Sequence, residues 1–450
     1  MKQDSFYKKL LPLALPMAFQ QLMQSLVSAS DALMMGMIDQ ASLSAVSLAT
    51  RIAFVVSLFI FGLTGGGSIL AAQYWGKESR DDVEQVFGIL MRPMFLVGAV
   101  FTASSLLVPQ LLMRIFTPDP ELIRLGCVYL RSVSFSFVLM CINQTYLCIM
   151  RNSGKAILAS AISSVSVVLN LALNAVLIFG LLGLPALGIA GAALATVLTR
   201  VVEFIWIIAD TAKPDRIKLR RKYLFGKNYL TRDFWSQTWV LTANNLVWGI
   251  GITVGSMIMG RLGSDMVAAN SIASVMKDLI SCLCMGLAAG GAIMVGNELG
   301  AGRLDVGKRY GERVVRMSLI YGAISAAIFI ALTPLIVKIA KLSPRSTEYL
   351  RWMIVVAAAN MVGMSHNSAT ISGIFAAGGD TKFGFICDII VLWVIVVPLS
   401  LLAAFVLKLP ELAIYCLINM DEWVKFPAVR INFRKYNWVR DLTRSQEETV

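Results

Sequence analysis

Hydrophobic and polar positions alternate along this chain in long blocks. Apolar runs of about 20–28 residues are parted by short polar breaks, and about 20 apolar residues are enough for a helix to cross a bilayer core. The runs predict spans near 10–36, 46–72, 86–113, 122–150, 156–181 and 187–210. A second set lies near 234–260, 266–296, 311–339, 348–376, 383–407 and 410–428. The longest polar connection, KPDRIKLRRKYLFGKNYLTR, separates the sets and carries Lys213, Arg216, Lys218, Arg220, Arg221, Lys222, Lys227 and Arg232. The predicted fold is an all-α polytopic membrane protein of 12 transmembrane helices in two six-helix lobes. The first lobe is 1–211, a basic linker follows at 212–233, and the second lobe with its tail is 234–450.

The two sets repeat one another. Gly62, Leu63, Gly66, Gly67, Ile69, Gly76 and Asp81 match Gly286, Leu287, Gly290, Gly291, Ile293, Gly300 and Asp305, every pair 224 residues apart. The same shift takes Met35 and Gly36 to Met259 and Gly260, and Ala45 to Ala269. An even number of crossings per set makes this a parallel repeat, with the lobes related by an axis along the membrane normal. Transporters built on such repeats bind substrate at the repeat interface. The shared glycines suit close helix packing in lipid.

The polar exceptions inside apolar runs carry the candidate chemistry. An unpaired carboxylate at the bilayer centre costs roughly 3 kcal/mol on insertion scales, so Asp31, within SLVSASDALMMG, needs a use or a place outside the membrane. Gln20, Gln24, Ser28 and Asp31 are spaced 4, 4 and 3 apart and form one stripe on the first span. Ser163, Ser166, Asn170 and Asn174 form a stripe on the fifth. Asp31, Asn174 and Thr196 fall at similar depths, about 8, 10 and 13 Å from the outer surface at 1.5 Å per residue. Such a set suits Na⁺ coordination through oxygen, or a proton site. Asn170 and Asn174 also fit a purely structural reading, as hydrogen-bonding glue between helices. Shifting Gln20, Gln24 and Asp31 by 224 gives Asn244, Trp248 and Gly255. The acid is lost in the second lobe, which places ion coupling in the first.

In the second lobe, Lys277, Asp278 and the single histidine, His366, lie mid-span. They are read as lining the substrate cavity with Gln20, Gln24, Ser28, Asn244 and Trp248, although His366 equally fits a neutral packing histidine. Trp248, Met257, Met259 and Met285 would offer a soft wall to flat cations. Asp388 fits either a cavity or a span boundary. Pro16, which removes a backbone hydrogen bond, is the predicted hinge of the first span.

Composition agrees with the pattern. The 450 residues are 57% hydrophobic and 15% charged, against about 45–50% and 25% for soluble domains. The net charge of +13 reads as loops following the positive-inside rule rather than as a nucleic-acid surface. Basic loops at the N-terminus, 73–85, 151–155, the linker, 297–313 and the tail place both termini in the cytoplasm. The loop near 338–351, with Lys338, Lys341, Arg345 and Arg351, is basic yet falls outside. All seven cysteines sit in apolar runs and read as small hydrophobes. There is no G-x-x-x-x-G-K-[ST] and no H-E-x-x-H. Nothing suggests an enzyme or a cofactor, and energy is expected from a gradient of Na⁺ or H⁺.

The segments LPLALPMAFQQLMQSLVSASDALMMG, GGGSILAAQYWGK, VVLNLALNAVLIFGLLGLPALGIAGAALATVLTRVVE, VGNELGAGRLDVGKRYGE and AAGGDTKF resemble the multidrug and toxic compound extrusion (MATE) family. So does the tail INMDEWVKFPAVRINFRKYNWVRDLT. The resemblance covers nearly the whole chain. It implies two pseudo-symmetric lobes around a V-shaped central cleft, exporting organic cations, drugs or toxic compounds in exchange for Na⁺ or H⁺ by alternating access. In family terms Asp31 is the coupling acid, Asn170 its amide partner, Asn174 a position that is Asp in some relatives, and Thr196 the hydroxyl. Asp31, Asn170 and Asn174 would hold Na⁺ in a sodium-coupled member. The expected setting is a bacterial inner membrane, with lipids and cationic amphipathic small molecules as partners and a monomeric state. The alternative within the same superfamily is a flippase for lipid-linked precursors or polysaccharide.

The orientation is testable by cysteine accessibility in spheroplasts carrying a cysteine-free background. Lys341→Cys is expected to react with a membrane-impermeant maleimide, and Lys227→Cys only after permeabilisation. The reverse pattern would invert the topology.

Overall fold

The computed structural model describes residues 4–36, 40–183, 185–226, 228–340 and 342–444; the side chains at 4, 5, 28, 29, 31–33, 35, 36, 40, 182 and 339 lie outside that description. The first six spanning helices are α1 (Asp4–Gly36), α2 (Gln40–Gly76), α3 (Arg80–Leu107), α4 (Pro120–Met150), α5 (Ala156–Phe179) and α6 (Gly188–Thr211). The second six are α7 (Thr231–Gly260), α8 (Ser264–Gly300), α9 (Leu304–Ala340), α10 (Pro344–Asn367, running on through Ser368–Phe375), α11 (Thr381–Val406) and α12. The last is in two pieces, Glu411–Ile418 and Asp421–Phe433.

Among the described residues, nine stretches are long and apolar enough to cross a membrane. One of them, Pro120–Phe179, holds both α4 and α5. The two turn into each other at Gly154, whose φ of 76° a side chain would resist. With α10 and α12, which carry more charge, the described helices make 12.

Most helices overrun the predicted spans at their polar ends, because a helix continues beyond the apolar core once its backbone is hydrogen-bonded internally. Two predicted spans differ more. The third, read as 86–113, ends at Leu107, and a short helical turn at Pro109–Arg114 follows. The twelfth, read as 410–428, breaks at Asn419 and then runs to Phe433.

The chain divides into two compact units. One comprises Met1–Gln21, Ala72–Glu78 and Ala243–Arg444; the other comprises Leu22–Ala71 and Ser79–Thr242. They are called here the second-half and first-half units. The division departs from the boundaries read at the linker. The start of α1 belongs with the second half, and the start of α7 belongs with the first.

Close backbone approach explains the exchange. In the second-half unit, α8 presents Gly286 and Gly290 to Ala14 and Ala18 of α1. A Cβ at Gly286 would lie 2.6 Å from the Ala14 carbonyl oxygen, and one at Gly290 would lie 2.7 Å from the Ala14 nitrogen. In the first-half unit, α2 presents Gly62 and Gly66 to Thr242 and Thr238 of α7, and a Cβ at Gly66 would lie 2.7 Å from Thr238 Cβ. Every residue of one crossing is 224 positions from its counterpart in the other. Each repeat has therefore lent the start of its first helix to the other's second helix. In lipid, where burying apolar side chains against one another gains little over lipid tails, such small-residue contacts are what hold helices together.

A third crossing is reciprocal within itself. Gly76 of α2 lies against the backbone of Asn297, and Gly300 of α8 lies against the backbone of Gln73. These pairs again differ by 224. The tail fastens this end of α2. Gln73 Nε2 donates to the Ala377 carbonyl at 2.7 Å, and its Oε1 accepts from the Leu442 amide at 2.6 Å. Trp438, fully buried, stacks on Phe433 with ring centroids 5.5 Å apart.

The linker is fastened too. Its basic residues read from sequence as facing lipid headgroups, but several are paired with α3 or α6. Glu84 holds Arg220, Asp81 holds Lys222 at 3.5 Å, and Asp210 holds Arg216 at 2.6 Å. Arg92 donates to the carbonyls of Leu224 and Tyr223 at 2.7 and 2.9 Å. Six of the seven cysteines are buried and Cys416 is exposed, all as free thiols.

The crossings make a signed prediction. Gly→Ala inside a helix gains about 0.5–1 kcal/mol of backbone entropy, whereas overpacking costs about 1–3 kcal/mol. Gly62→Ala and Gly286→Ala are therefore expected to lower the midpoint of thermal unfolding in detergent. At Gly255 a Cβ would meet Ile418 Cγ2 at 3.4 Å, an ordinary contact, so Gly255→Ala should be neutral or stabilising. Equal midpoints for the three variants would refute the packing account.

Candidate functional site

Each unit contains a polar constellation in an otherwise apolar bundle. In the first-half unit it is built on α5 and α6. The two helices meet tightly at their joined ends, where the Leu187 amide donates to the Leu177 carbonyl at 3.0 Å. Asn174 is 2% exposed, and its Nδ2 donates to Asn170 Oδ1 at 3.2 Å, one turn earlier on α5. The predicted stripe is thus realised as an amide pair. Ser166 donates to the Ile162 carbonyl at 2.8 Å. Ser163 is buried with no partner for its hydroxyl oxygen among the described residues. On α6, Thr196 spends its proton on the Ala192 carbonyl at 3.1 Å, which leaves its oxygen as an acceptor.

Asp31 and Ser28 lie on α1 in the part that belongs to this unit, but their side chains fall outside the described residues. Gln24 is on the same part, whereas Gln20 belongs to the second-half unit. The predicted stripe is therefore divided between Gln20 and Gln24. Pro16 lies inside α1, which runs unbroken through it. A cavity of about 950 Å³ in this unit is lined by Arg114, Arg124 and Arg131 and includes none of the predicted residues.

The second-half unit holds a denser set. Lys425 of α12, 6% exposed, is surrounded by three carboxylates. Its Nζ lies 3.0 Å from Asp388 on α11, 3.3 Å from Asp421 and 3.6 Å from Glu422, the last two on its own helix. Asn244 of α7 donates to Asp388 Oδ2 at 3.0 Å, and Asn367 of α10 donates to Glu422 Oε2 at 2.8 Å. Four helices thus converge on one buried ionic network. Removing one partner of such a network leaves an uncompensated buried charge and costs about 3–5 kcal/mol.

Of the predicted second-lobe residues, only Asn244 joins this network. His366 is 0% exposed and reaches no accessible surface. Its Nδ1 is 2.9 Å from Thr370 Oγ1, and its ring packs edge-on against Phe426 at 4.5 Å. Trp248 is half-exposed, Lys277 half-buried and Asp278 exposed. Neither Lys277 nor Asp278 enters the described hydrogen bonds of the network. Sequence reading passed over Asp421, Glu422 and Lys425 because they stood in a segment matched only as a tail. The available signal was their spacing of 4 and 3 residues, which stacks both acids with the lysine on one helical face. Among the described residues, no group of three or more His, Cys, Asp or Glu is placed to hold a metal ion.

Comparison with known proteins accords with this architecture. The family model MatE matches residues 16–176 and 240–402, two segments that begin 224 residues apart. The chain is 27% identical over 334 residues to "Probable multidrug resistance protein NorM" of Rhizobium meliloti (strain 1021), covering 72% of this chain and 70% of that protein. It is 22% identical over 398 residues to "Probable multidrug resistance protein YoeA" of Bacillus subtilis (strain 168), covering 86% and 82%. A solved MOP superfamily transporter from Pyrococcus furiosus Vc1 (DSM3638) shares the fold, with a TM-score of 0.87 at 18% identity over 96% of each chain. A model match to both halves, in register with the internal repeat, shows that the chain belongs to the MatE family and is a multi-pass membrane transporter of small molecules rather than an enzyme.

Proposed function

We propose that this transporter exports organic cations, drugs or toxic compounds from the cytoplasm in exchange for Na⁺ or H⁺. The setting is a bacterial inner membrane, with both termini cytoplasmic and the protein acting as a monomer among lipids. One observation carries the reading. The first half places a single acid, Asp31, on the polar stripe of an apolar helix, and the same unit buries the Asn170–Asn174 amide pair. The equivalent position in the second half is Gly255. A carboxylate present in only one repeat fits ion coupling better than packing, since packing would be repeated. Asp31, Asn170, Asn174 and the Thr196 oxygen would supply the oxygen ligands of Na⁺, or the polar shell of a protonated acid.

Coupling requires only that ion and substrate favour different states of the transporter. Ion binding at Asp31 would bias α1 between two bends. Pro16 weakens the helix by one hydrogen bond, and α1 passes from one unit to the other just beyond it, after Gln21. Gln20, Gln24, Ser28, Asn244 and Trp248 would line the substrate path. The multidrug-resistance names of the relatives favour this export over the flippase of lipid-linked precursors.

The test is efflux of a fluorescent organic cation from proteoliposomes, with Na⁺ and pH gradients imposed separately. Wild type should respond to one gradient, which names the ion. Asp31→Asn should fall to the leak of protein-free vesicles, with its thermal stability unchanged. Gradient-driven efflux that survives in Asp31→Asn would remove Asp31 from the mechanism.

A further inference from the structure

The network around Lys425 has an imbalance that the first-half acid does not address. Three carboxylates face one ammonium, so the fully ionised cluster carries two surplus negative charges in a buried setting. Uncompensated charge in low dielectric is removed by protonation rather than endured. The three acids are not equivalent. Asp388 and Glu422 each accept from an asparagine amide, at 3.0 and 2.8 Å. Asp421 is held by Lys425 one turn along the same helix.

The asparagines supply the second observation. The Oδ1 of Asn367, in a residue only 3% exposed, has no hydrogen-bond partner, and neither does the Oδ1 of Asn244. A buried acceptor left empty is costly unless something fills it. A carboxylate needs the amide nitrogen as donor, whereas a protonated carboxyl needs an acceptor for its new O–H. Turning the amide through half a rotation exchanges Nδ2 for Oδ1. Each asparagine can thus serve its acid in either protonation state, and each now holds in reserve the atom that the protonated form would use.

We propose that Asp388 with Asn244, and Glu422 with Asn367, form a two-proton site in the second half of this transporter. Two protons cancel the two surplus charges and leave the Asp421–Lys425 pair neutral. Protons come from water and return to it, one bound through Asp388 Oδ2 and one through Glu422 Oε2. The other titratable or charged neighbours are Cys387 on α11, His366 on α10, and Asp421 and Arg430 on α12; α7 contributes only the neutral Asn244. His366 is already engaged with Thr370. The site has a mechanical outlet, because Asn244 lies just past the point, after Thr242, where α7 enters the second-half unit. Protonation of Asp388 exchanges the bond that fixes α7 there.

This inference rests on the transporter reading but not on Asp31, and its test needs neither substrate nor gradient. Acid-minus-alkaline infrared difference spectra of the protein in lipid nanodiscs report the carbonyl stretch of protonated carboxyl groups. Wild type should show the band. Asp388→Asn and Glu422→Gln should each remove a part of it, the double variant should remove most, and Asp421→Asn should leave it unchanged. Where an acid variant does not fold, Asn244→Leu and Asn367→Leu keep both acids and should shift the band upward, because the acceptor is lost. A wild-type band in the folded double variant, loss of the band in Asp421→Asn, or an unshifted band in both leucine variants would overturn the proposal. Failed efflux with these spectral changes intact would instead count against the proposed export.

Discussion

The architecture depends on the near-contact of helix backbones where small residues meet. Lipid supplies no hydrophobic pressure to hold one apolar helix against another. The chain answers with glycine on α2 and α8 and with small residues on α1 and α7. Gly286 and Gly290 admit Ala14 and Ala18, and Gly62 and Gly66 admit Thr242 and Thr238. The approach is close enough that a single methyl group would meet backbone atoms. That closeness determines which helix starts belong to which unit. It also explains why the compact units do not coincide with the halves cut at the linker.

On this frame the polar groups are distributed unequally. The first-half unit buries two amides and several hydroxyls, satisfied largely within their own helices. The second-half unit buries four charged side chains drawn from α11 and α12, with an asparagine each from α7 and α10. Symmetry of backbone and asymmetry of chemistry coexist because packing is set by side-chain size, whereas ionic chemistry needs specific atoms at only a few positions. A repeated scaffold can therefore carry different sites in its two halves.

Much was legible in the sequence. The number of spans, their order and the parallel repeat followed from apolar run lengths and from one constant offset, because lipid imposes length and polarity on each segment separately. The α5 stripe was legible for the same reason: helical spacing alone brings Asn170 and Asn174 onto one face. The offset of 224 even marked the residues of the crossings, since glycines matched glycines along α2 and α8.

What the sequence could not give is which helix each of those glycines receives. That choice depends on how helices distant in the chain pass one another, and no local pattern encodes it. The same limit hid the network around Lys425. Asp388 read as ambiguous and Asn244 as a cavity residue because their partners, 37 and 144 residues away, declare themselves only when α7, α10, α11 and α12 converge. Sequence by itself determined the membrane-spanning elements and their repetition, which are properties of single segments in lipid. Tertiary structure alone decided the exchange of helix starts and the company of each buried charge, because both are relations between segments.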